Sequence, residues 1–238
     1  MADQDDPAGA GVLWGTPAPA RRGPKPKHTL DGIAEAASAI ADAEGLDAVT
    51  MQRVAQSLGT TKMALYRYVP GRADLDAVIL DRALGAPPST SGATWEHALT
   101  DWSRALYSRA LERPWTVELA QRPHVPGPQE LTWYERGLEA TDGLSLTAGE
   151  RLDLLALLSG HALSLVRQQA RSSSPEEDLA SQLGPVLAAH TARYPRAVAA
   201  FAEAGREGSR DDALLFGVRR ILAGVAALLE ERHHGAGD

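Results

Sequence analysis

The 238-residue chain contains no cysteine. That excludes disulfides, thiolate nucleophiles, cysteine-type zinc sites and iron–sulfur clusters, and it fits a reducing cytosol. No run of about 18 apolar residues occurs, so no segment reads as a membrane span. The opening MADQDD has no basic stretch followed by an apolar one, so it does not read as a secretory signal. Sustained period-two alternation of β-branched residues is missing, which argues against a sheet. Catalytic signatures are missing too. GAGVLWG, residues 9–15, spaces two glycines like a phosphate loop, but no strand precedes it and no GK[ST] follows. Neither G-x-S-x-G nor H-E-x-x-H occurs, and the carboxylates are dispersed on polar faces. An enzyme is therefore not expected, nor is a cofactor or a metal.

Lysine is scarce, and all three lysines lie between Lys25 and Lys62. The net charge of −7 argues at first against nucleic acid, but its distribution matters more than its sum. Residues 21–72 hold eight basic and five acidic side chains, a net of +3, on an otherwise acidic chain. Such a locally basic unit can attract phosphate, while clustering by chance is the plainer reading.

What is present is helix after helix. Residues 1–20, rich in Asp, Ala, Gly and Pro, are expected to be disordered. Arg21–Lys27, RRGPKPK, is a basic arm kept extended by its prolines. It either follows a DNA backbone or minor groove, or it is a solubilising tail. Ile33, Ala36, Ala37 and Ile40 share one helical face that ends at Gly45. Leu75, Val78, Ile79 and Leu84 mark a connecting helix that stops at GAPPSTSG. Further helices are expected over Thr94–Glu112, from Pro114, and over Gln129–Ala140 with Leu131, Tyr134 and Leu138. Thr147 and Glu150 have capping-box spacing, and two more starts fall at Ser174 and Ser209. The fold class is all-α.

The densest information lies in TMQRVAQSLGTTKMALYRYVP, Thr50 to Pro70. Val54 and Leu58 lie one turn apart, Ala55 allows a close crossing, and Gly59 tolerates the positive φ of a tight reversal. Leu65 and Val69 set the inner face of a second helix. Thr60, Thr61, Lys62, Met63, Tyr66, Arg67 and Tyr68 then point outward, as on a helix that enters a major groove. Tyr66 and Tyr68 have the alternative of sitting partly in the core.

Two later helices, Thr147–Gln169 and Asp211–Glu231, are apolar over nearly two faces, and each is roughly 30 Å long. Ser159, Gly160, Gly217, Ala223 and Gly224 lie among their large residues. A four-helix seam in a C2 dimer covers such faces, and burial inside a monomer is the other possibility.

The glycine at Gly45, the AVTMQRVAQSLG turn and the ALYRYVPGRADL run, in that order, resemble the tetracycline-repressor (TetR) family of bacterial transcription regulators. The ERPWTVELAQRPHVPGP region and the LLSGHALSL helix are similar to the ligand-binding half of its tetracycline-repressor branch. The resemblance implies a three-helix head at residues 28–72 after a tail at 1–27, with a ligand-binding and dimerisation domain at 73–238. It implies a cytoplasmic homodimer that represses from a palindromic operator on double-stranded DNA and is released by a small apolar or aromatic effector.

By position, Thr50 and Gln52 are expected at phosphates, and Lys62, Met63 and Ala64 at bases. Tyr66, Arg67 and Tyr68 are expected at backbone or base edges, and Arg72 at a phosphate. Thr60 and Thr61 open the reading helix. Trp102, Leu106, Trp115, Trp133, Tyr134, His161, Leu165 and Gln168 are candidates for an apolar pocket, or are simply packed core. His124, also a pocket candidate, lies near the loop where the tetracycline branch has a magnesium-binding histidine. A regulator without a ligand and a protein-binding helical scaffold are the remaining alternatives.

Overall fold

The structure is a computed structural model that describes residues 10–15, 28–89, 94–170, 175–207 and 213–235. Among them every regular element is a helix. The basic arm and the starts expected at Ser174 and Ser209 lie outside the described residues.

Three helices form the N-terminal head: α2 (Leu30–Glu44), α3 (Met51–Ser57) and α4 (Lys62–Leu65), preceded by the five-residue α1 (Ala10–Trp14). Threonine hydroxyls start all three head helices. Thr29 accepts from Gly32 N–H, Thr50 from Arg53 N–H and Thr61 from Ala64 N–H. Each such cap satisfies an otherwise orphaned donor and contributes about 1 kcal/mol. Gly45 ends α2 at φ 86°. Gly59, at φ 60°, ends α3, where its N–H bonds Gln56 O and the next N–H, of Thr60, bonds Ala55 O. Ile33, Val54, Ala55, Leu65 and Val69 are almost completely buried between the three helices. Truncating one of the large ones to Ala is expected to cost about 2–5 kcal/mol.

The connecting helix α5 (Arg72–Leu84) is buried along most of its length, from Leu75 to Asp81 and again at Ala83 and Leu84. Around it and beyond it lie α6 (Trp95–Glu112), α7 (Trp115–Ala120), α8 (Pro128–Glu139) and α9 (Ala148–Gln169). The chain ends with α10 (Pro175–Ala189), α11 (Pro195–Glu207) and α12 (Ala213–Gly235). One continuous hydrophobic core runs from Ile33 of α2 to Leu222 of α12 through α5. Movement of α5 therefore cannot leave the head unaffected.

Helices α9 and α12 run antiparallel. Arg232 near the end of α12 reaches Glu150 in the first turn of α9, with Nη2 to Oε1 at 2.5 Å. Together with the Thr147 cap, that guanidinium draws the Glu150 carboxyl down to about 2.

Two expectations change. Residues 10–14, expected to be disordered, form α1, because Val12 and Leu13 find cover on the core. Trp14 Nε1–H also donates to Pro126 O at 2.9 Å. On α8 the buried residues are Trp133 and Gly137, while Leu131 and Tyr134 remain 45% and 43% exposed. A Cβ on Gly137 would fall 2.6 Å from a Leu155 methyl, so any side chain there would have to displace Leu155 at the α8–α9 contact.

Candidate nucleic-acid interface and ligand cavity

The second motif helix is short, but its helical hydrogen bonds continue past α4. Tyr66 N–H bonds Lys62 O, Tyr68 N–H bonds Leu65 O and Val69 N–H bonds Leu65 O. Leu65 and Val69 point inward, which sends Thr61, Lys62, Met63 and Arg67 out. Met63 is 74% exposed, a large apolar side chain that nothing among the described residues covers. Lys62 and Arg67 make no ion pair among the described residues. Gln52 is exposed, whereas Thr60 and Ala64 are half-buried.

Tyr66 and Tyr68 are half-buried and pack against the core. Lys62 Nζ lies 5.6 Å from the centre of the Tyr66 ring, and the Tyr68 ring meets His28 edge-on at 6.4 Å. Both tyrosines thus support the turn as well as line it.

Arg72 departs most from the sequence expectation. Its Nε donates to Asp76 Oδ1 at 2.7 Å, Nη2 to Leu46 O at 3.2 Å, and Nη1 to Val49 O. A guanidinium whose three nitrogens serve the interior has little left for a phosphate. It holds the start of α5 against the turn between α2 and α3.

Between α5, α6, α7, α8 and α9 lies a cavity of about 180 Å³. Of the expected lining residues it collects Trp102, Leu106, Trp133 and Tyr134. The two indole rings meet edge-on with centres 5.9 Å apart. Their N–H groups are consumed internally, Trp102 by Trp133 O at 2.9 Å and Trp133 by Gly85 O at 2.8 Å.

The other candidates lie elsewhere, each for a visible reason. Trp115 donates to Asp42 of α2 at 2.7 Å and so joins body to head. His161 sits between the α12 carbonyls of Ala213 and Leu214, each 3.2 Å from Nε2, and against Gly217. Leu165 and His124 are half-buried outside the cavity lining, and Gln168 is exposed. The residues that sequence reasoning missed include Leu84, Thr116, Glu130, Ser159 and Leu163. Only the acid in the PQEL start of α8 carried any signal for Glu130.

Glu130 links the cavity to α5. His124 Nε2 lies 2.9 Å from Glu130 Oε2 and Nδ1 lies 2.7 Å from Arg122 O. Both neighbours are acceptors, so the ring is best served with both nitrogens protonated, and its pKa is raised, chiefly by the Glu130 carboxylate. Arg122 Nη1 in turn donates to Asp76 Oδ2 at 2.7 Å. One polar path therefore leads from Glu130 through His124, Arg122, Asp76 and Arg72 to the carbonyls of Leu46 and Val49 in the head.

A second tie runs beside it. Asp81 of α5, 1% exposed, accepts from Gln129 and Glu130 N–H at 2.8 and 3.2 Å and so caps α8. Burial pushes its carboxyl up despite those bonds. A Cβ on Gly127 would fall 2.2 Å from Asp81 Oδ1, so glycine is required there too. Among the described residues, no three His, Asp or Glu side chains converge as a metal site. No helix among the described residues is long and apolar enough to cross a membrane.

A helix-turn-helix head on a helical body with an internal cavity is the architecture of a one-component transcription regulator. Residues 33–76 match the family model described as bacterial regulatory proteins, tetR family, and residues 87–229 match the tetracyclin repressor-like C-terminal domain. The chain is 33% identical to the HTH-type transcriptional repressor DrrR1 of Streptomyces coeruleorubidus, over 93% of this chain and 86% of that one. It also superimposes on apo ActR from Streptomyces coelicolor with a TM-score of 0.74 at 27% identity, covering 88% of this chain and 100% of the other. ActR in complex with actinorhodin gives 0.71 at 26% identity, over 86% and 98% of the two chains. The chain belongs to the TetR family of DNA-binding transcription regulators.

Proposed function

We propose that the chain is a cytoplasmic, non-catalytic homodimeric repressor that leaves its operator when a small aromatic molecule enters the body. The observation that carries the reading is the exposed set Lys62, Met63 and Arg67, presented by a helix that shares one core with the cavity. Residues 28–72 act as the reading head and residues 73–238 as the ligand-binding and dimerisation body, with α5 common to both. Lys62 and Arg67 are suited to guanine O6 and N7, and Met63 and Ala64 to a thymine methyl. Thr50, Gln52, Thr60, Thr61 and the hydroxyls of Tyr66 and Tyr68 are suited to phosphates.

The dimer reading rests on what α9 and α12 leave uncovered. Leu152, Leu157 and Phe216 are 47%, 59% and 61% exposed. Gly160 and Gly224 have nothing within 4 Å of an added Cβ, so both leave room for a close partner helix. Gly217 is spent within the chain on His161. The effector reading draws on ActR, whose structure holds actinorhodin, and on the path from Glu130 to the head. A ligand shifts DNA affinity only by binding one arrangement of α5 better than another. A rearranged Glu130 supplies that difference through His124, Arg122 and Asp76.

The test is selection of bound duplexes from a random pool, followed by anisotropy titration. An inverted repeat should emerge, and Lys62→Ala and Arg67→Ala should each weaken it by about tenfold or more without lowering the melting temperature. No enriched repeat, or unchanged affinity in both variants, overturns the reading.

A further inference from the structure

We infer that the cavity selects a flat aromatic ligand carrying a protonated amine, anchored on Glu130. This rests on the effector reading above and adds the class of effector.

The walls are apolar and aromatic, with the indoles of Trp102 and Trp133 set nearly at right angles. Their shape suits a planar ring system, and their faces favour a cation nearby. The hydrogen-bonding inventory is one-sided. Both indole N–H groups are already bound to backbone carbonyls. The Thr116 hydroxyl donates to Arg113 O at 2.8 Å and the Ser159 hydroxyl to Ala156 O at 3.2 Å. Each of these oxygens therefore faces a ligand only as an acceptor.

Tyr134, at the cavity edge, is the one lining side chain with a donor to spare. Glu130 is the one lining residue with a formal charge, and its side chain is 17% exposed. His124 occupies Oε2, whereas Oε1 has no hydrogen-bond partner among the described residues. The neighbouring His124 ring offers little to an anion, because its two nitrogens are directed at Glu130 Oε2 and at Arg122 O. A ligand that brings donors and positive charge is thus matched, and one that brings a carboxylate meets a like charge at Glu130 and, apart from the Tyr134 hydroxyl at the edge, only acceptors.

An ammonium on Oε1 would also compete with His124 for the same carboxylate. That competition bears on the first link of the path toward Arg122 and Asp76, so occupancy and the position of α5 are coupled by the contact that gives selectivity.

The experiment is calorimetric titration of the full chain at pH 7 with three probes of one ring system: 2-naphthylmethylamine, 2-naphthylmethanol and 2-naphthoate. The amine should bind at least about tenfold more tightly than the alcohol, the usual margin for a charge-assisted bond, and the carboxylate should bind weakest. Glu130→Gln should bring the amine to within about threefold of the alcohol and leave the alcohol unchanged. If that variant does not fold, the wild-type series decides alone. An alcohol or carboxylate that binds as well as the amine overturns the inference and leaves the cavity reading intact. So does an amine affinity that Glu130→Gln does not move. Failure of all three probes to bind overturns both.

Discussion

Asp76 is the joint of the polar path, and Asp76→Asn tests it with little change of shape. Its Oδ1 takes Arg72 Nε at 2.7 Å and its Oδ2 takes Arg122 Nη1 at 2.7 Å. An amide keeps one acceptor and turns an NH₂ toward the other guanidinium, donor against donor. Two buried charge-assisted bonds would contribute about 1.5–3 kcal/mol each. The arginine side chains are 33% and 38% exposed, so solvent screens both bonds and the expected combined loss falls to about 2 kcal/mol. For a protein of this size that lowers the melting temperature by about 4–8 °C. Calorimetry at one fixed protein concentration reads this without interference from association.

A second readout separates coupling from simple packing. Asp76 lies inside the chain, away from the exposed turn of the head, yet the loss frees Arg72 to release Leu46 O and Val49 O. Operator affinity should fall by about fivefold, and the response to an effector should shrink, in line with couplings of 1–3 kcal/mol. Arg122→Gln should give a similar loss, and the double variant little more than either alone. A variant that melts within 1 °C of wild type and keeps both affinity and response would refute the path.

Two other outcomes are cheap to check. Gly224→Asp places a charge on the uncovered face of α12, where an added Cβ meets nothing within the chain. Sedimentation should show the monomer, and an unchanged dimer moves the seam elsewhere. His124 has a raised folded pKa, so its stabilisation is complete below the unfolded value of 6.5 and is lost as pH rises through the folded value. The melting advantage of wild type over His124→Gln should therefore be largest near about pH 6 and shrink toward about pH 9, and a constant difference refutes the charged His124–Glu130 pair.

The head was readable because its rules are local. A threonine cap, a small residue at a crossing and a glycine with positive φ each act within a few residues, and Thr50, Ala55 and Gly59 fill those roles in sequence order. The cavity was not readable in the same way, because it is assembled from five helices and its chemistry depends on which donors are already spent. A tryptophan in the sequence gives no sign of whether its N–H goes to Asp42, as for Trp115, or to Gly85 O, as for Trp133. Arg72 misled for a related reason. Its place after the turn suits a phosphate, but Asp76 lies one helical turn further on and faces the same side. The stripe of small residues was legible as a whole and divided only in space, with Gly217 inside and Gly160 and Gly224 outside.

Charge leaves a question that the head alone cannot answer. Residues 28–72 hold four basic and five acidic side chains, a net of −1. Arg53 is paired with Glu44 at 2.6 Å and Arg72 is turned inward, which leaves Lys62 and Arg67 as exposed cations with no ion pair among the described residues. Two cations per head are few for a duplex, where affinity rises with each phosphate neutralised. The remaining local charge is Arg21, Arg22, Lys25 and Lys27, which lie outside the described residues. Replacing these four with glutamine, rather than cutting the chain, keeps α1 and its Trp14 contact in place. If the arm touches the backbone, the slope of log affinity against log salt should flatten by up to about 3.6 per subunit, at roughly 0.9 for each lost phosphate contact. Preference for A·T pairs flanking the repeat should fall with it if the arm reaches into the minor groove. A slope that stays within about 0.5 of wild type makes the arm a solubilising tail and leaves binding to Lys62 and Arg67 alone.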